Sequence, residues 1–113
     1  MKAEISWNDF EKIDIRVGTI IDAQPFKKAK NPAYKLWIDF GSEIGIRKTS
    51  AQITILYEID DLIGKQITAV INFPPKQIAD FMSECLVLGV VGNAKDVTLL
   101  TPGKAVKNGL AIG

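Results

Sequence analysis

The sequence predicts an all-β domain, a small closed sheet of about five short strands. Three observations predict it. Apolar and polar residues alternate with a period of two in several separate stretches, the spacing that puts successive side chains on opposite faces of a strand. Turn residues such as Gly41-Ser42, Pro74-Pro75 and Pro102-Gly103 punctuate those stretches, as connections between strands require. At 113 residues the chain has the size of one domain, residues 1–113, with no room for a second core.

Ser6 is a suitable N-cap, and Trp7, Phe10 and Glu11 fit one short helical turn ahead of the sheet. The first strand follows: Ile13, Ile15, Val17, Thr19 and Ile21 alternate with Asp14, Arg16, Gly18 and Asp22. Gly18 inside it predicts a bend or bulge, which a closing barrel needs. After a basic connection from Lys27 to Pro32, the second strand sets Tyr34, Leu36, Ile38 and Phe40 on one face and Lys35, Trp37 and Asp39 on the other. A third strand is expected from Ile44 to Thr49. Asp60 and Asp61 begin a short helix or turn that Gly64 ends. The fourth strand carries Ile67, Ala69, Ile71 and Phe73 and stops at Pro74-Pro75, where a ladder cannot continue. Glu84 to Val91 is the fifth, apolar on both faces and so expected to be covered on both. Val97 to Leu100 and a turn-rich tail complete the chain. This order, with a helical insertion between strands three and four, fits a Greek-key oligonucleotide-binding barrel better than a sandwich.

Composition narrows the chemistry. Hydrophobic residues at 47% and charged residues at 24% are ordinary globular values, excluding disordered and fibrous classes. The formal charge is only +1, so any hold on nucleic acid must come from a local basic patch. The chain has no histidine, the commonest general base and metal ligand. Its one cysteine, Cys85, sits in an apolar run and reads as a small buried hydrophobe. No phosphate loop, nucleophile elbow or catalytic carboxylate pair is present. An enzyme, a cofactor and a bound metal are therefore not expected. The N-terminus turns acidic and polar before any apolar stretch develops, unlike a secretory signal, and the run from Cys85 to Gly92 is far short of the ~20 residues of a membrane helix. A cytoplasmic protein with no membrane partner is expected.

Motifs then point to a family. Asp14-Ile15-Arg16-Val17-Gly18, Pro32-Ala33-Tyr34-Lys35-Leu36, Asp39-Phe40-Gly41, Arg47 with Thr49-Ser50-Ala51-Gln52-Ile53, Leu62-Ile63-Gly64-Lys65 and Asn72-Phe73-Pro74-Pro75-Lys76-Gln77-Ile78 follow one another in order. Together they resemble the tRNA-binding domain family, and Tyr34 to Gly41, Ser50 to Thr54 and Ser83 to Gly89 are most similar to its free-standing CsaA branch of secretion-related chaperones. The resemblance spans Phe10 to about Ile112. One departure is Glu84-Cys85-Leu86, where the broader family tends to carry glycine and methionine. The resemblance implies a non-catalytic, homodimeric tRNA-binding barrel with protein-export chaperone activity. The alternative it also implies is a chaperone that holds unfolded precursor proteins in an apolar groove, with RNA binding incidental.

The candidate RNA-binding residues are Lys30, Lys35, Arg47, Lys48, Asn72, Lys76 and Ser83. Lysines 27, 28, 30 and 35 meet no acid between Pro25 and Trp37, so they suit phosphates or simply a solvated loop. Arg47 can grip a phosphate in two places or pair at the surface with Asp39 or Glu43. Asn72 and Ser83 can bond base edges or sugar hydroxyls, and Asn72 can alternatively cap the turn before Pro74. The candidate peptide-binding or interface residues are Trp7, Phe10, Trp37, Phe81 and Met82. Trp37 suits a base-stacking platform, but its mixed-charge neighbours favour a protein contact. Arg47, Asn72, Lys76 and Ser83 are expected side by side.

Overall fold

The computed structural model describes residues 1–113. In chain order it contains α1 (Trp7–Glu11), β1 (Ile15–Pro25), β2 (Tyr34–Asp39), β3 (Ile46–Ala51), α2 (Ile59–Leu62), β4 (Gln66–Val70), β5 (Lys76–Ile78), β6 (Phe81–Ser83), β7 (Leu86–Val87), β8 (Gly89–Val91) and β9 (Val97–Leu99). Ser6 caps α1 as expected: its hydroxyl accepts the Asp9 N–H at 3.2 Å, and the Asp9 carboxylate accepts the Ser6 N–H at 3.1 Å.

Five strands form one antiparallel sheet in the order β3-β2-β1-β4-β7. The sheet curls until β3 meets the chain just ahead of β7. There the Glu84 N–H donates to the Lys48 carbonyl at 2.8 Å, and the Lys48 N–H donates back to the Glu84 carboxylate at 3.0 Å. With α2 between β3 and β4, this is the oligonucleotide-binding barrel that the sequence predicts. Glu84, the departure from the family pattern, supplies with its side chain an acceptor that a neighbouring strand would otherwise offer. The tail from Gly109 to Ile112 lies along the start of β1, where the Val17 N–H donates to the Leu110 carbonyl and the Ile112 N–H to that of Ile15.

Leu36, Ile38 and Phe40 fill the core from β2, Ile67, Ala69 and Ile71 from β4 and its end, and Leu62 from α2. β1 departs from the expected alternation. Its core-side residues are Gly18, Ile20 and Ala23, while Val17 is buried outside that cluster. Ile20 pairs with Ile38 and Asp22 with Trp37, so Ile21 is a bulge without a partner and is exposed. Gly18 is thus not the bulge. A Cβ there would lie 2.6 Å from Ile38 Cγ2 and 2.8 Å from the Phe40 ring; the glycine gives Phe40 its space.

The expected fifth strand is also corrected. It breaks at Leu88 into β7, which continues the barrel, and β8, which pairs with β9 in a separate hairpin. Leu86, Val90 and Val91 are 50%, 57% and 70% exposed, so this run is not covered on both faces. Beyond β4, Phe73 is exposed rather than core, and the segment after Pro75 forms the hairpin β5–β6. No helix is long and apolar enough to cross a membrane.

Candidate nucleic-acid interface

Two connections flank the outer face of β2 and β3: residues 26–33, between β1 and β2, and residues 71–85, between β4 and β7. Oligonucleotide-binding barrels place ligands on this face and between these loops. Here a satellite core joins them. Phe26 and Ala33 from the first connection and Phe81 from the second are buried together, with Ala29, Trp37 and Ile78 packed around them. Phe81 meets Phe26 edge-on at 5.5 Å between ring centres and Trp37 at 5.9 Å, geometries worth about 0.5–1.5 kcal/mol each beyond their buried area. Lys28 and Asp80 add an ion pair at 2.9 Å. The Lys28 hydrogen bond holds the Asp80 carboxyl below the usual range, though so exposed a pair contributes little stability.

Phe81 is therefore no groove lining as the sequence suggests. It is 6% exposed and serves as the central packing residue of the satellite core, while its neighbour Met82 faces outward. Trp37 lies on the outer face as expected, half-buried against Phe81. Lys35 and Lys48 rise around the same ring, their Nζ atoms 5.0 and 5.1 Å from its centre. Lys30 is exposed on the first connection.

The remaining residues form two adjoining hollows. Arg47, Asn72, Phe73, Pro74, Pro75 and Glu84 line one; Phe73, Pro74, Lys76, Ser83, Cys85 and Leu86 line the other. Phe73 and Pro74 belong to both, so Arg47, Asn72, Lys76 and Ser83 fall along one continuous surface. Lys76 stands directly opposite Ser83 in the β5–β6 hairpin. Their side chains differ in freedom. Arg47 pairs with neither Asp39 nor Glu43: its Nη1 donates to the Ile71 carbonyl at 2.6 Å. Asn72 moors the segment before β1, accepting the Asp14 N–H at 2.9 Å and donating to the Lys12 carbonyl at 2.7 Å. Ser83 shares a 2.7 Å hydrogen bond with the buried Thr49 hydroxyl, which donates to the Cys85 carbonyl at 2.6 Å. Cys85 is buried, and burial pushes its thiol up to about 11. Trp7 and Phe10 stand apart from this surface, lining a shallow hollow with Ile5 and Ser6 of their own segment.

Residues 15–111 match the sequence profile described as a putative tRNA binding domain. The chain belongs to the tRNA-binding domain family. Within the family it is similar to two solved structures along almost their whole lengths. The chaperone CsaA from Bacillus anthracis is 51% identical with a TM-score of 0.93, covering 98% of this chain and 100% of that one. The CsaA chaperone protein from Picrophilus torridus is 55% identical with a TM-score of 0.92, covering 97% and 100%. The methionine–tRNA ligase of Methanococcoides burtonii is 38% identical over 108 residues, 96% of this chain but only 16% of that enzyme's length.

The sequence reading missed Phe26, whose ring lies 4.9 Å from Lys35 Nζ, and Thr49, which anchors Ser83. Phe26 lies outside every strand and Thr49 reads as an ordinary strand residue; each acquires its part only when distant segments meet.

Proposed function

We propose that this protein is a non-catalytic, homodimeric tRNA-binding barrel with protein-export chaperone activity, working in the cytoplasm. One observation carries the RNA reading. Lys35 and Lys48 stand on the outer face of β2 and β3, Arg47 and Lys76 line the adjoining hollows, and none of the four joins the ion pairs Lys12–Asp9, Arg16–Asp14 and Lys28–Asp80. Unpaired cations beside half-buried Trp37 suit phosphates, with a ring at hand for stacking. The family membership and the likeness to CsaA support the same reading. The non-catalytic part rests on the residue supply: the chain has no histidine, and its one thiol is buried and kept protonated.

Titration with unfractionated tRNA at increasing salt tests this. Affinity is expected to fall with a log–log slope of about 0.7 per single-stranded phosphate contact. A flat response would remove the RNA reading.

A second reading is favoured by a groove of about 460 Å³ along β7 and β8 that includes Ile53, Ile78, Leu86, Val87, Val91 and Leu99. Its apolar walls suit segments of unfolded precursor proteins. Suppression of polypeptide aggregation should then persist or strengthen in high salt, where tRNA is released.

A further inference from the structure

Lys35 and Lys48 come from neighbouring strands and share the outer face in diagonal positions, Trp37 standing opposite Lys48 and Lys35 opposite Ser50. Like charges so placed repel, and a carboxylate between them is the usual relief. Here aromatic rings take that place. Lys35 Nζ lies 4.9 Å from the centre of Phe26 and 5.0 Å from that of Phe81; Lys48 Nζ lies 5.1 Å from the centre of Phe81. The neighbouring carboxylates are engaged elsewhere, Asp80 with Lys28 Nζ and Glu84 with the Lys48 backbone N–H.

The difference matters for binding. A carboxylate neutralises an ammonium group, whereas the face of a ring attracts it through its quadrupole and leaves its charge available. The ring also restricts two long side chains before any ligand arrives, and side-chain ordering is a main cost of binding through lysines.

We propose that Phe81 is a positioning residue, holding Lys35 and Lys48 as a preformed pair of cations for the phosphate backbone of a bound RNA. The inference rests on the RNA reading above and adds to it a residue that need not touch RNA.

Salt-dependent titration with unfractionated tRNA tests it on four variants. Lys35→Gln and Lys48→Gln should each lower the log–log slope by about 0.7, one phosphate contact. Phe81→Leu keeps both charges and most of the apolar volume, so it should weaken binding about tenfold at the wild-type slope. Phe81→Tyr, which keeps a ring, should stay within about twofold. The proton resonances beside Nζ of Lys48 should lose their ring-induced upfield shift in Phe81→Leu, those of Lys35, which keeps the Phe26 ring, should lose only part of it, and both should keep it in Phe81→Tyr, which loosened packing alone would not produce. Wild-type affinity in Phe81→Leu, or unchanged slopes in both lysine variants, would overturn the inference while leaving tRNA binding in place. If the wild type does not bind tRNA, both readings fall. Should Phe81→Leu not fold, the slopes of the lysine variants decide.

Discussion

Gly18 lacks a side chain because Ile38 and Phe40 occupy the space beside it. Gly18→Ala should therefore destabilise the barrel by about 1–3 kcal/mol, the range for overpacking a core, read as a lower urea midpoint. Ala79 presents the opposite case. At the tip of the β5–β6 hairpin it holds φ 51°, a left-handed conformation that costs a residue with a Cβ about 1–2 kcal/mol, against glycine's entropic cost of about 0.5–1. Ala79→Gly should raise stability by about 0.5–1 kcal/mol in the same measurement. Cys85 sets a pH dependence. Burial raises its thiol to about 11, above the ~8.5 of an unfolded chain. The unfolded chain loses this proton first, so the stability linked to it is complete below about pH 8.5 and declines as the pH climbs toward 11. Tyr34, also raised by burial, extends the decline at higher pH. Denaturation across this window should give a shallower fall for Cys85→Ala; parallel profiles would show that the thiol is not responsible.

At the scale of elements, the two connections beside the interface are joined by rings more than by charge. Phe26 is buried against Phe81, so Phe26→Ala should cost about 3 kcal/mol. Lys28 and Asp80 are exposed, so Asp80→Asn should cost less than about 1 kcal/mol. Equal losses from thermal unfolding of the two variants would reverse that order. β2 was legible in the sequence because one of its faces is core and the other is not: Leu36, Ile38 and Phe40 alternate cleanly with Lys35, Trp37 and Asp39. β1 was not, because it is packed on both faces, with Val17 buried outside the main core, and offset by the Ile21 bulge. Apolar residues therefore occur on both of its faces, and alternation cannot say which one is the core. The fifth strand misled for a related reason. Continuous apolar sequence predicts burial, but Val90 and Val91 stand exposed on a hairpin outside the barrel.

At the scale of the whole molecule, that exposed apolar surface bears on assembly. Leu86, Val90, Val91 and, on α1, Trp7 at 80% exposure would be desolvated in the homodimer proposed above. Sedimentation should give twice the 12.4 kDa of one chain, and Val91→Glu should return the monomer without unfolding it. A monomeric wild type at micromolar concentration would remove the dimer. The charge balance acts at this scale too. A net +1 gives no general attraction to nucleic acid, so affinity depends on which cations the fold leaves unpaired, and Lys35, Lys48, Arg47 and Lys76 join none of the ion pairs.

The sequence by itself determined the barrel, the capped turn at Ser6, the helical insertion and the family. These follow from local periodicity, turn chemistry and the order of motifs, all carried by neighbours along the chain. Only the tertiary structure decided that Phe81 is a core residue beneath two lysines, that Asn72 moors the N-terminal segment and that Glu84 helps close the barrel. Each of those roles depends on a partner dozens of residues away, and the distance along a chain does not reveal which side chains folding will bring together.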